Sequence, residues 1–191
     1  MLAKIVDSYL DTAVGALGLG AAARRTALDA MPVPVYITDP DGLVTYWNRA
    51  CADFAGREPQ LGKDRWCVIW QIHTTADELL PHDQCPMAVA IKEKREIRGE
   101  VAIAMRPDGS RRAFQPYPIL MFQANGQLAG AINLLIDVSE EQAAALADQA
   151  ARCRRLAASV CDKGTADMLR GMAQGYEANV SALRRRALTG P

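Results

Sequence analysis

Two glycine turns near the middle of the chain, Pro107-Asp108-Gly109 and Ala124-Asn125-Gly126, do most to limit its fold. Each lies between apolar runs and offers a residue that accepts positive φ, so each reads as a hairpin joint. Strands are therefore expected over 98–106, 111–123 and 127–138. An earlier turn, Asp39-Pro40-Asp41-Gly42, separates Val33–Thr38 from Leu43–Trp47; its proline presets one dihedral and its glycine accepts the next. Asn48 then stands as N-cap of a helix over Arg49–Ala55, with Gly56 as its stop. Residues 57–82 read as irregular and aromatic-rich, and 83–95 as a helix with Pro86 in its first turn, where a missing amide hydrogen costs least. The order of two strands, helices and three strands is α+β. It predicts a five-stranded antiparallel sheet and excludes a doubly wound parallel one.

The flanks change period. Ile5, Tyr9, Ala13 and Leu17 recur every four residues and predict an amphipathic helix, loosened at Gly18 and Gly20 before a second helical stretch over 21–30. Residues 140–186 read as two helices broken at Asp162-Lys163-Gly164. Leu146, Ala150, Cys153, Ala157 and Val160 line the first, and Met168, Met172, Tyr176, Val180 and Leu183 the second. This is an αα-hairpin. The expected division is an N-terminal helical cap over 1–29, a central domain over 30–139 and C-terminal signalling or dimerisation helices over 140–191.

Lys plus Arg and Asp plus Glu both total 22, which gives no reason to expect nucleic acid or an acidic membrane as partner. The basic run Arg184-Arg185-Arg186 reads as a solvated helix end. The apolar stretch from Val14 to Ala23 is too short to cross a bilayer, and Asp7 and Asp11 argue against a secretory signal. Five cysteines without paired spacing suggest reduced thiols and a cytoplasmic location.

The central segment resembles a PAS domain. The resemblance is carried by Thr38-Asp39 with its turn, Trp47-Asn48-Arg49-Ala50, Phe54-Ala55-Gly56, Arg106-Pro107-Asp108-Gly109, Gly130-Ala131-Ile132-Asn133 and Asp137-Val138-Ser139. The last triplet is similar to the Asp-Ile-Thr element at which PAS domains pass into a signalling helix. Trp66-Cys67, Trp70 and the run LPHDQCPMA over 80–88 resemble a narrower group from bacterial sensor histidine kinases and stand-alone regulators. Over about residues 30–139 the resemblance implies a five-stranded antiparallel sheet whose concave face, with the helices, encloses a small-molecule or cofactor pocket. The fold by itself does not name the ligand.

Trp66, Trp70, His82, Cys85, Met87, Met105 and Asn133 are the candidate ligand-binding residues, with Trp66, Trp70 and Cys85 expected to be buried around one cavity shared with Met105 and Asn133. The competing reading makes the indoles and Cys85 ordinary core and gives His82 a capping or backbone hydrogen bond. Cys67, His73, His82 and Cys85 offer two thiolates and two imidazoles for zinc or iron, in spacings that match no zinc motif. His82, with Met87 and Cys85 nearby, is the candidate haem ligand. Flavin photochemistry is not expected, because Arg65-Trp66-Cys67-Val68-Ile69 departs from the Asn-Cys-Arg-Phe-Leu segment of the flavin-binding branch.

No phosphate-cradling glycine loop or nucleophile elbow is present, and His73 and His82, the two histidines, lie outside the C-terminal helices that would carry a phosphoacceptor. The expected function is a non-catalytic sensor that binds a small ligand and relays its state through flanking helices to a signalling partner. Alternatives are a dimerisation adaptor with a self-filled core, and a haem or metal redox sensor. A homodimer is expected through the N-terminal helix, the outer sheet face and the helix after Ser139, with Leu135 and Leu146 at its interface.

Overall fold

The computed structural model describes residues 2–185. Two helices, α1 (Leu2–Leu17) and α2 (Ala21–Asp29), lead into strands β1 (Val35–Thr38) and β2 (Val44–Trp47). Helix α3 (Arg49–Ala55) follows, then β3 (Gln71–His73), β4 (Leu79–Leu80), a 3-10 turn over His82–Gln84 and α4 (Pro86–Glu93). Strands β5 (Ala102–Met105), β6 (Arg111–Phe122) and β7 (Leu128–Asp137) precede the hairpin of α5 (Ser139–Ser159) and α6 (Lys163–Arg184). Arg186, the last of the basic run, lies outside the described residues. Among those residues, no helix is long and apolar enough to cross a membrane.

The described strands form one seven-stranded sheet in the order β2-β1-β7-β6-β5-β3-β4, antiparallel throughout. Five of them fall within the expected segments. The sheet gains β3 and β4 from a stretch read as irregular, because strands of three and two residues are too short to display an alternating pattern. Pro86 opens α4 as expected, with Cys85 as its N-cap. Asn48 caps α3 by accepting from the Cys51 amide, and Gly56 ends it at φ 67°.

Strand alternation divides the core. On the concave face Tyr36, Ala131 and Leu135 pack with Phe54 of α3, Met87 of α4 and Phe114 of β6. On the other face Val35, Ile37, Ile132, Leu134 and Ile136 pack under Val6, Leu10 and Ala13 of α1, Leu28 of α2, Ala143 of α5 and Leu183 of α6. The outer face expected to meet a second copy is thus covered by helices of the same chain. Leu135 lies on the concave face, fully buried, and is not an interface residue.

The helices depart from the sequence reading in register. The buried stripe of α1 is Val6, Leu10, Ala13 and Ala16, while Ile5 is exposed. A strict four-residue spacing drifts around a helix of 3.6 residues per turn, so buried positions must alternate steps of three and four. Within the hairpin, small residues form the seam: Ala150, Cys153 and Ala173 are buried, with Leu169 and Tyr176 packed beside them. Met168 and Met172, assigned to the buried stripe of the second helix, are 60% and 44% exposed. Asp162 caps α6 by accepting from the Thr165 amide, so Lys163 and Gly164 belong to its first turn.

Asn48 ties the entering chain to the sheet. Its buried Oδ1 accepts from the amides of Val35 (3.0 Å) and Cys51 (3.2 Å). Its Nδ2 lies 3.1, 3.3 and 3.0 Å from the carbonyls of Leu28, Met31 and Val33. Removing the amide orphans several buried backbone groups, at about 1–3 kcal/mol for each one left unsatisfied. Asn48→Ala should therefore lower unfolding free energy by roughly 3 kcal/mol in urea titration. A loss below about 1 kcal/mol would show that Asn48 is no linchpin.

Candidate functional site

Tyr36 enters from β1, on the face packed by α3 and α4, and is fully buried. Its hydroxyl donates to the Trp66 carbonyl at 3.0 Å and accepts from Asn133 Nδ2 of β7 at 2.9 Å. Asn133 Oδ1 accepts in turn from the Tyr117 amide of β6 at 2.9 Å. The buried amide is thus fixed in orientation by partners on two other strands. The Cys85 thiol lies 3.9 Å from the same Trp66 carbonyl, positioned to donate a weak second bond.

Trp66 itself has φ 69°, a region that L side chains visit rarely. Such a conformation costs on the order of 1–3 kcal/mol and persists where the surroundings hold it. The Trp66 amide donates to Gly42 O at 2.7 Å, and its carbonyl is held by Tyr36. The indole lies flat against Gly42, where an added Cβ would come within 2.2 Å of the ring. Lys92 Nζ sits 5.3 Å from the ring centroid, in cation–π range. A glycine is therefore required at position 42 for two reasons, its φ of 83° and the indole above it.

Above this core runs an open groove of about 520 Å³, lined by Arg57, Lys63, Asp64, Arg65, Trp66, Cys67, Ile69, Trp70, His82 and Asp83. The structure thus brings Trp66, Trp70 and His82 together, but on a surface groove. Trp70 is 46% exposed, contrary to its expected burial. Cys85 and Met87 lie beneath the groove, in the core. Asn133 lies deeper, at Tyr36. Met105 is separated from them all: β5 alternates, so it shares a face with Ile103, on the opposite side of the sheet.

His82 Nε2 lies 2.8 Å from the Ile69 carbonyl, the backbone bond weighed above, which ties the ring to the groove wall instead of presenting it to a haem iron. His73 stands apart on β3, with its Nδ1 3.4 Å from Asp77, which also pairs with Arg111. Cys67, His73, His82 and Cys85 do not converge, and among the described residues no three His, Cys, Asp or Glu side chains are grouped to hold a metal. The groove's charges were not singled out in the sequence. Arg57 pairs with Asp64 at 2.7 Å, while its buried Nε has no partner. Lys63 and Arg65 lie on the same rim. Tyr36 was also missed, since a tyrosine in an apolar strand carries no signal of its hydroxyl's partners.

Burial governs the thiols. It pushes Cys67 up to about 11 and Cys85 up to about 12, so both are protonated at neutral pH. Tyr36 is likewise raised, by burial first and by those two cysteines second.

Residues 25–94 match the family model described as PAS domain. Among solved structures, the chain is similar to the PAS domain of a protein from Colwellia psychrerythraea, at 19% identity over 61% of this chain and 95% of that one, with a TM-score of 0.48. It is similar to a light-oxygen-voltage protein of Rhodobacter sphaeroides at 17% identity, over 85% and 95% of the two chains, with a TM-score of 0.47. The light-oxygen-voltage domain of a blue-light activated histidine kinase from Erythrobacter litoralis matches at 17% identity over 56% and 97%, with a TM-score of 0.44. No curated protein matches the chain.

Cys161 is exposed, whereas Cys51, Cys67, Cys85 and Cys153 are buried. A thiol reagent at about pH 8 should therefore modify Cys161 first and the other four only on unfolding, as read by intact mass. Rapid labelling of Cys67 or Cys85 would contradict the packing described. Because burial raises both thiols above 9.0, the unfolded chain loses these protons first as pH rises. Stability should be undiminished by them below pH 9 and fall as pH climbs towards 11.

Proposed function

We propose that this chain, whose residues 25–94 match the PAS domain family model, is a non-catalytic sensory module that binds a small ligand in the tryptophan groove and relays its presence through β7 to the α5–α6 hairpin. The observation that carries this reading is the bonded series from the Trp66 carbonyl to Tyr36 and on to Asn133. Asn133 sits on β7 one helical turn's worth of sequence before the junction that starts α5. There Asp137 Oδ1 accepts from the Ser139 amide (3.0 Å) and hydroxyl (2.6 Å), and Ser139 Oγ accepts from the Ala113 amide at 3.0 Å. Arg112 pairs with Asp137 at 3.0 Å. A ligand pressing on Trp66 therefore acts on a residue already held in a strained conformation and joined, through Tyr36 of β1, to the strand that leads into the output helix.

The relay is a population shift. A ligand moves α5 only by as much as it binds one arrangement better than the other, and couplings of about 1–3 kcal/mol, or 5–150-fold in affinity, are typical. Non-catalytic action is supported by the groove's chemistry: both neighbouring thiols are held protonated by burial, and His82 is bonded to backbone. The adaptor reading draws support from the concave face, where Tyr36, Phe54, Met87, Phe114 and Leu135 fill the space themselves. Self-association fits a second groove, lined by Asp7, Leu10, Asp11 and Val14 of α1 with Lys94, Glu96, Arg98 and Phe122, in which Arg98 is paired with Glu96. A two-fold partner would bring its own Asp7 and Asp11 towards Lys94. The exposed Met168 and Met172 of α6 are suited to a signalling partner, because methionine adapts to varied surfaces.

Hydrogen exchange tests the relay. Tyr36→Phe removes the bonds to Trp66 and Asn133 and should speed exchange of residues 139–146 beyond the change in global stability. Ile91→Val, a core change of similar cost at roughly 1 kcal/mol away from the groove, should not. Equal loosening of α5 by both variants, or none by Tyr36→Phe, would refute the relay.

A further inference from the structure

The groove's lining defines a class of ligand, on the reading just given that it is the binding site. Two features coincide there. The first is aromatic surface: Trp66 is partly exposed with its ring fixed against Gly42, and Trp70 beside it leaves nearly half its surface to solvent. Large apolar side chains left open at the mouth of a groove are sites for stacking. The second is charge. Arg57, Lys63 and Arg65 line the groove and Lys92 stands over Trp66, against two carboxylates, Asp64 and Asp83.

Those two carboxylates are already engaged. Asp64 holds Arg57 at 2.7 Å and accepts from the Gln60 amide at 2.9 Å. Asp83 lies 4.0 Å from Lys92. Among the described residues Lys63 and Arg65 have no carboxylate partner within ion-pair range, leaving two uncompensated cations on one rim. Arg57 lines the same groove with its terminal nitrogen held by Asp64, so it adds no free donor. The volume, about 520 Å³, suits a molecule of one or two rings.

We infer that the groove takes a small planar aromatic anion, its ring against Trp66 and Trp70 and its carboxylate towards Arg57, Lys63 and Arg65. The geometry disfavours the alternatives. An aromatic cation meets the same positive rim and is repelled, and an aliphatic anion satisfies the rim without using the indole faces. A neutral aromatic stacks but leaves the two free cations uncompensated.

Isothermal titration with four probes tests this: 2-naphthoate, 2-naphthamide, 2-naphthylmethylammonium and cyclohexanecarboxylate. Naphthoate should bind about tenfold more tightly than naphthamide, as one charge-assisted bond predicts, and the ammonium compound should bind least. The double variant Lys63→Gln with Arg65→Gln should lower naphthoate affinity towards that of naphthamide and leave naphthamide unchanged. Trp70→Ala should weaken both. All three substitutions are at exposed positions, so folding is not at stake. Equal binding of naphthoate and naphthamide, a preference for the cation, or no binding of any probe overturns the inference. The sensory reading fails separately. If naphthoate binds as described but leaves exchange in residues 139–146 unchanged, the ligand class stands and the relay falls. If naphthamide binds as well as naphthoate and both alter that exchange, the relay stands and the ligand class falls.

Discussion

The rest of the structure depends on β7 being buried on both faces while it runs on into α5. Ile132, Leu134 and Ile136 face the helices of the chain's two ends, and Ala131, Asn133 and Leu135 face α3 and α4. A single strand thus belongs to two cores at once, and neither can be repacked without moving the other. Antiparallel partners fix its register on both sides, with Tyr36 opposite Asn133 in β1 and Pro118 opposite it in β6. A slip of one residue would exchange the two faces, placing Asn133 among the aliphatic side chains under α1. The buried amide is therefore a register mark as well as a polar link. Close approach adds to this constraint, since Gly130 lies so near Thr38 that an added Cβ would sit 2.0 Å from its carbonyl oxygen.

The region between α3 and α4 has a different character. It contains two very short strands, a 3-10 turn and several positive-φ residues, and it makes its contacts through single backbone groups instead of long ladders. Trp66 is held by one amide, one carbonyl and the flat face of its ring, so its conformation is set by neighbours and not by its own preference. Strain of this kind persists only where the surrounding contacts hold it, so the conformation of Trp66 depends on Gly42 and Tyr36. The basic rim and the exposed Trp70 lie over that point, while the rigid sheet lies under it.

Arg106 joins the same region to the far end of the sheet. Its Nε donates to the Phe54 carbonyl at 3.0 Å and a terminal nitrogen donates to the Asp53 carbonyl, so a buried guanidinium caps the end of α3. Burial and the neighbouring Arg112 guanidinium lower its pKa from the usual arginine value. Arg112 in turn pairs with Asp137 and lies over the Phe54 ring. Arg106 thus ties the end of α3 to the end of β5, and Arg112 joins Phe54 of α3 to Asp137, just before α5.

Much of the fold was legible in the sequence because it depends on local chemistry. The turns at Asp41-Gly42, Asp108-Gly109 and Asn125-Gly126, the Asn48 and Gly56 caps and the proline opening α4 are each decided within a few residues by dihedral preference and a nearby bond. From them the antiparallel order and the helical hairpin follow. What was not legible depended on partners distant in sequence. Strand β3 exists because β5 lies beside it and β4 because β3 does, and Met105 fell on the far face because alternation counts from the first paired residue. The stripe on α1 was misplaced by one residue, since a periodic pattern fixes that a face exists more firmly than which residues touch. The site followed the same division. The sequence by itself determined that Trp66, Trp70 and His82 lie close together along the chain. Only the tertiary structure decided that they line an open groove, that Tyr36 and Asn133 meet across 97 residues, and that arginine and lysine crowd one rim. The reason is physical: turns and caps are short-range bonds of the backbone, whereas a groove is the space left once distant surfaces have packed.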